Sequence, residues 1–445
     1  MLTLASLPLL IDLPTLTLQE LKDMVLGEVV GSKILYVEII DRTGPLMAVT
    51  DGILNLCFGR SLLARHIIAL ILICFQASYF GILLINNKAY NESGYVPSLV
   101  FGFLCFFSFD LLATTPELLA STLLLLALNN LFKEIEFRID RDSIILNLGV
   151  FIGLASLFIF SYIIFLAGCI LILVVFARAT FRKILLLLFG FGLVHAILFT
   201  YYYCYGRTDE LWSHFYAANI IQLNRHLVGM NSILILVAIP SVYLVFSMFM
   251  LTREARFTKY QSQLFQTIFL WLAIAIIQFW LTAERTPHSL YTVIPAVAYF
   301  ISHYLLLIHR KWIAEMMLWL FVLGLLYVNF SSRYQLLNQV KYVALFPMPS
   351  PQYKNLVGKK IMIIGNDLSL YQHNKMSGGF LDWDLSKKYF EQPGYYENII
   401  RINEAIVRDV PEVIIDESGL MGPIIERIPS LKVTHRREGT LYRKR

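Results

Sequence analysis

The stretch GSKILYVEIIDRTGPLMAVTDGILNLCFGRSLLARHI (31–67) sets two carboxylates, Glu38 and Asp41, three residues apart, ahead of a Gly44-Pro45 break and a long apolar run that carries Arg65. A carboxylate near a low-dielectric boundary gains basicity by partial desolvation, so either acid suits proton removal from a hydroxyl. Interfacial solvation, or a salt bridge to Lys33 or Arg42, accounts for the same acids without chemistry. Asp110 and Glu117 flank the start of another apolar run, and Glu117 after Pro116 also fits a first helical turn that complements the helix dipole. The segment ERTPHSLYTVIPAVAYF (284–300) contributes Arg285 and His288, and the 206–230 loop contributes Arg225 and His226. Arginine's planar fork matches phosphate. Arg285 and His288 also suit the plainer role of anchoring a helix end. Arg65 within a span points to function, because charge inside a bilayer is costly.

These groups need a scaffold, and composition indicates a membrane. Hydrophobic residues make up 57% of the 445 and charged residues 15%, against about a quarter charged in soluble proteins. Apolar segments long enough to cross about 30 Å of hydrocarbon recur, predicting about ten transmembrane helices near 62–85, 95–113, 117–131, 144–162, 164–177, 184–204, 231–252, 263–281, 290–308 and 312–330. With residues 1–61 outside, the clustered cations (Lys133, Arg138 and Arg141; Arg178, Arg182 and Lys183; Arg253, Arg256 and Lys259; Arg310 and Lys311) fall inside, as does Lys88. The chain then finishes outside, in the periplasm of a bacterium.

Met1 to Leu10 is apolar but too short to span and reads as the stub of a first helix. Residues 15–30 combine a Thr17/Glu20 capping box with Leu21, Val25 and Val29 every four residues, predicting an amphipathic helix on the outer interface. Three regions follow: 1–61, an outer-face helix and first outer loop; 62–330, a transmembrane body; and 331–445, a small soluble periplasmic α/β domain. In the last, KKIMIIG (359–365) and PEVIIDE (411–417) read as strands and NIIRINEAIVRDV (398–410) as a helix. PIIERIP (423–429) reads as a short helix before LKVTH (431–435), giving a small βαβ layer. LDWDLSKKYF (381–390) reads as a solvated loop, with sugar or acceptor contact as the other possibility. FTYYYCY (199–205) reads as an interfacial aromatic belt, with a lipid or sugar groove as the alternative.

Several residues extend into a family pattern: Tyr36, Glu38, Asp41, Gly44-Pro45-Leu46, then Phe58-Gly59-Arg60-Ser61 and Arg65. This resembles the first outer loop of the GT-C membrane glycosyltransferases, most closely the bacterial branch related to protein O-mannosyltransferases and lipid A aminoarabinose transferases. Glu38 stands where many relatives carry aspartate, and Asp41 matches the second acid. Asp110 and Glu117 resemble the second-loop acid, and Arg285 with His288 resembles a late outer loop placed before a helix with an internal proline. The family usually has a complete helix before the first outer loop, where this chain has the short stub.

The resemblance implies an inverting transfer of a sugar from a polyprenyl-phosphate donor to a glycan, lipid or protein acceptor at the outer face of the inner membrane. Glu38 or Asp41 would be the base, and Arg285, His288, Arg225, His226 and Arg65 would hold the donor phosphate. No cofactor is required, and a divalent cation stays an open alternative. Neither an HExxH nor a close His/Asp cluster indicates a metal site, Gly365 does not continue as GxGxxG, and charge of +6 without a basic stripe argues against nucleic acid. The five cysteines, Cys57, Cys74, Cys105, Cys169 and Cys204, read as buried free thiols, and His66, His195 and His303 as packing residues. Two other function classes fit a many-span chain. One is a transporter or flippase for a lipid-linked substrate. The other is a non-catalytic scaffold whose tail binds a protein partner in an envelope complex.

Overall fold

A computed structural model describes the chain except residues 1–15, 92–93, 138–141, 221–227, 255–256, 283, 335, 337–339, 341–344, 349–352 and 354–355. The predicted N-terminal stub lies outside the described residues. Contacts divide the chain into two compact units: one from Leu62–Leu198 with Leu223–Ala344, the other from Leu16–Ser61, Phe199–Gln222 and Leu345–Arg445.

The first unit is helical and apolar. Among the described residues, Leu62–Asn86, Pro116–Ile135, Phe181–Cys204, Lys259–Leu281 and Lys311–Arg333 are long and apolar enough to cross a membrane. Met230–Leu236 and Ala238–Leu251 meet the same test as one span bent by 61°. Pro240 explains the bend, since its ring opposes the Leu236 carbonyl and it donates no N–H. Asp142–Phe158, Phe160–Phe176 and Ile294–Leu307 are shorter apolar helices. The segment predicted at 95–113 is helical only over Val96–Leu104, followed by a 3-10 turn at Phe109–Leu111. The Ser108 hydroxyl there bonds the Asp110 carboxylate, local side-chain bonding that competes with a continuous helix. Pro295, expected inside a helix, occupies the first turn of Ile294–Leu307, where a missing N–H costs nothing.

Glycine lets these helices approach closely without a hydrophobic drive between them. A Cβ on Gly149 would lie 2.2 Å from the Leu187 carbonyl oxygen, and one on Gly190 would lie 2.4 Å from that of Leu146. Farther along the same helix pair, Ser156 and His195 are hydrogen-bonded at 2.9 Å. His303 packs edge-on against Tyr90, Tyr299 and Phe257. Two cations expected in inner loops are paired, Lys183 with Glu134 at 2.6 Å and Arg182 with Asp142. All five thiols are free, but Cys57 and Cys204 are exposed rather than buried, being on helix faces that carry other exposed apolar side chains.

The second unit is built on a five-stranded sheet. Its strands are β1 (Lys360–Ile364), β2 (Lys375–Met376), β3 (Val413–Asp416), β4 (His435–Glu438) and β5 (Leu441–Lys444), in the order β2-β1-β3-β5-β4. β1 and β3 are parallel, in register from Ile361 with Val413 to Ile364 with Asp416, and β4 and β5 form an antiparallel hairpin. The predicted βαβ layer is thus present, with the helix Tyr396–Arg408 between its main strands. One expectation is corrected. Residues 381–390 are not a solvated loop: Asp382 caps a helix, Trp383–Glu391, by accepting from the N–H groups of Asp384 and Leu385. LKVTH is helical through Thr434, because Pro429 opens a helix there, and β4 begins only at His435.

The helix Leu18–Val30 has the predicted capping box: Thr17 Oγ1 accepts from the Glu20 N–H at 3.2 Å, and Glu20 Oε2 from the Thr17 N–H at 3.0 Å. It packs against Pro45–Phe58, where Gly27 leaves room for the Asp51 backbone. The loop between these helices joins the sheet domain through its backbone. Ile40 donates to the Gly379 carbonyl at 2.8 Å, and Asp382 donates to that of Ile40 at 3.0 Å. Gly379 has φ +79°, and a Cβ on it would lie 2.0 Å from the Glu38 carbonyl oxygen. Gly379→Ala therefore combines a disfavoured φ with a backbone clash and is expected to destabilise this unit by about 2 kcal/mol or more. Thermal unfolding of the full-length protein should show the loss, and an unchanged midpoint would refute this close approach.

Candidate functional site

Tyr36 shapes the acidic loop. It is fully buried at φ +66°, a conformation unfavourable for a bulky side chain, and three contacts hold it there. Its hydroxyl donates to the Thr43 carbonyl at 2.6 Å, and its ring lies 5.8 Å from both Phe215 and Tyr202. Tyr202 in turn donates to the Leu35 carbonyl at 3.0 Å. Within the predicted aromatic belt Tyr202 is therefore a packing residue, while Tyr201, Tyr203 and Tyr205 are exposed.

The resulting kink sends the two acids to different surroundings. Asp41 is fully buried and salt-bridged to Lys22 at 2.8 Å. Glu38 is partly exposed: Oε2 accepts from the Ile34 N–H at 2.8 Å, and Oε1 is paired with Arg408. Lys33 and Arg42, considered as partners for these acids, extend to the sheet domain instead, Lys33 to Asp409 at 2.7 Å and Arg42 to Asp382 at 2.5 Å. Arg60 is a further clamp, pairing with Glu28 and donating to the carbonyls of Tyr371 at 2.7 Å and Asn374 at 2.9 Å. Burial opposes ionisation of Asp409 and Asp382, yet both are held below the usual carboxylate range: Asp409 by hydrogen bonds and charge from Lys33 and Lys360, Asp382 by the charges of Lys22 and Arg42.

Glu38 lines a cavity of about 610 Å³ formed within this unit. One wall is a face of the helix Tyr396–Arg408, which carries Glu397, Arg401, Glu404 and Arg408. None of these four was singled out in the sequence, although their spacing of four, three and four residues is a helical stripe. His214 was also missed. It is buried, 3.2 Å from the Tyr389 hydroxyl, which also accepts from Arg401 at 3.2 Å.

In the first unit the structure gathers a separate polar cluster. His288 Nε2 lies 3.4 Å from Asp110 Oδ2, both side chains buried, and Glu117 is within electrostatic reach of His288. His288 stacks on Tyr291, whose hydroxyl donates to the Leu111 carbonyl at 2.7 Å. Gln278, not anticipated, links Thr282 at 2.8 Å and Thr292 at 3.0 Å beside them in sequence. Arg285 stands apart: its guanidinium lies 4.6 Å over the Trp280 ring and donates to the Trp280 carbonyl at 3.2 Å. Arg65 is buried, its carbonyl accepting from Thr114 at 2.6 Å. Arg225 and His226 lie outside the described residues. Among the described residues no cluster of three His, Cys, Asp or Glu side chains could hold a metal ion.

The fold is that of GT-C glycosyltransferases. The chain superposes on the crystal structure of ArnT from Cupriavidus metallidurans bound to undecaprenyl phosphate with a TM-score of 0.51 at 10% identity, covering 96% of this chain and 87% of that one. The apo state of the same protein gives a TM-score of 0.51 at 12% identity with the same coverage. No family model matches the chain, and no curated protein matches it in sequence.

Burial, with the nearby charges of Arg401 and Lys388, lowers the His214 pKa to about 4. An unfolded histidine titrates near 6.5, so between about pH 6.5 and 4 the unfolded chain binds the extra proton and stability falls with pH, by up to ~3 kcal/mol. The paired Asp382 and Asp409 lose their contribution only at lower pH. The unfolding midpoint of the wild-type protein should therefore drop more steeply from pH 7 to 4.5 than that of His214→Gln. Parallel curves would contradict this assignment.

Proposed function

We propose that the protein is an integral membrane glycosyltransferase that moves a sugar from a polyprenyl-phosphate donor to an acceptor at the periplasmic face of a bacterial inner membrane, with inversion at the sugar. The observation that carries the reading is the contrast between the two acids of the first loop. Glu38 opens onto a cavity large enough for a small ligand, whereas Asp41 is enclosed with Lys22. Glu38 is accordingly the base and Asp41 a structural partner. Fold likeness to a protein crystallised with undecaprenyl phosphate supports a lipid-phosphate donor.

In the proposed step the Glu38 carboxylate takes the acceptor hydroxyl proton as that oxygen bonds to the sugar's anomeric carbon. The anomeric C–O bond to phosphate breaks on the opposite face, and the phosphate leaves with the electron pair. Arg285, His288 and Arg65, with Arg225 and His226, are assigned to stabilise the negative charge that leaves with it. Asp110 orients His288, consistent with their 3.4 Å approach. Each Glu38 oxygen makes one contact and keeps acceptor capacity for a substrate hydroxyl.

A second reading, a non-catalytic scaffold, draws on the engagement of Glu38 by Arg408. Transfer from a polyprenyl-phosphate sugar by protein reconstituted in liposomes separates the two. Glu38→Gln should lower the rate by about 10²- to 10⁴-fold with little change in unfolding midpoint. Asp41→Asn should lower the midpoint, because it removes the charge of the buried carboxylate paired with Lys22. Undiminished transfer by Glu38→Gln would overturn the assignment, and accumulation of the lipid-linked substrate without product would favour transport.

A further inference from the structure

The helix Tyr396–Arg408 has two faces with different work. Ile399, Ile402 and Ile406 are buried in the core of the sheet domain. The opposite stripe, Glu397, Ile400, Arg401, Glu404, Ala405 and Arg408, lines the cavity that holds Glu38. The lining as a whole carries five cationic and five anionic side chains, so its formal charge is zero.

Most of these charges are committed to one another. Asp409 binds both Lys33 and Lys360, at 2.7 and 3.1 Å; Glu210 binds Arg207 at 3.0 Å; and Glu38 is paired with Arg408. Arg401 lies 5.0 Å over the Tyr389 ring, donating to the Tyr389 hydroxyl and, at 3.3 Å, to the Val37 carbonyl. Glu397 and Glu404, four residues before and three after Arg401, make no hydrogen bond or ion pair among the described residues and are exposed. Two uncommitted carboxylates thus flank a fixed guanidinium, with the apolar side chains of Ile400 and Ala405 in the same lining.

We propose that this cavity is a saccharide site that takes a neutral, polyhydroxylated portion of the acceptor. The inference rests on the assignment of Glu38 as base and names the acceptor's chemistry. Free carboxylates accept hydrogen bonds from sugar hydroxyls, the guanidinium donates to them, and the apolar lining side chains meet C–H faces. A polyanion is disfavoured by Glu397 and Glu404. A polycation is disfavoured by the lysine pair on Asp409. An apolar ligand would strip water from charges without replacing their hydrogen bonds.

Binding of maltotriose, mannotriose and chitotriose to the full-length protein in lipid nanodiscs, followed by calorimetry and by hydrogen exchange of residues 396–408, tests the site. At least one trisaccharide should bind and protect that helix. Glu397→Ala and Glu404→Ala should each weaken binding by about 10-fold or more without lowering the unfolding midpoint, while Lys387→Ala should leave it unchanged. Failure of all three sugars to bind, wild-type affinity in both alanine variants, or preference for a sulfated trisaccharide would overturn the inference. The outcome is independent of turnover: sugar binding with transfer indifferent to Glu38 removes the base and leaves the site. Transfer that needs Glu38, with no trisaccharide bound, removes the site and leaves the base.

Discussion

The backbone pairing of Ile40 with Gly379 and Asp382 is the constraint on which the acidic loop depends. It adds residues 38–41 to the edge of a folded domain more than three hundred positions later in the chain, and only a residue without Cβ permits the approach. Once this pairing forms, Lys33 reaches Asp409, Arg42 reaches Asp382 and Arg60 reaches the 371–374 carbonyls, so cations around the loop are satisfied by the sheet domain. The loop is held at several points by charge-assisted bonds, the stronger kind. A carboxylate positioned in this way is pre-organised at a wall rather than free on a loop.

The membrane unit solves a different problem. A polar group among apolar helices must find partners inside the protein, and Gln278, Thr282 and Thr292 do so with one another. Asp110 and His288 share a buried approach, in which each offsets part of the other's desolvation cost in an apolar setting. Close helix contacts at Gly149 and Gly190 give the frame in which such groups keep fixed positions.

Much of this was legible in the sequence, for identifiable reasons. Apolar runs of span length, the Thr17/Glu20 capping box and the two parallel strands are local patterns, each declared within a few turns of chain. The different surroundings of Glu38 and Asp41 were not legible, because they follow from the left-handed Tyr36, and that conformation is imposed by Tyr202 and Phe215 far along the chain. The unit built from residues 16–61, 199–222 and 345–445 is likewise invisible to a linear scan, being assembled by long-range pairing. The helix at 383–391 was obscured by its charged composition, which hid the capping role of Asp382. Clusters such as Asp110 with His288 were readable as residue types but not as a pair, since 177 intervening residues separate them.

In the proposed reaction a lipid phosphate is bound by cations of this chain while Glu38 acts only on the acceptor. Native mass spectrometry of the full-length protein with undecaprenyl phosphate tests it directly. The expected result is a stoichiometric adduct that survives Glu38→Gln and is weakened in an Arg285→Ala/His288→Ala double variant. No adduct on the wild-type protein, or an adduct indifferent to the double variant, would contradict it.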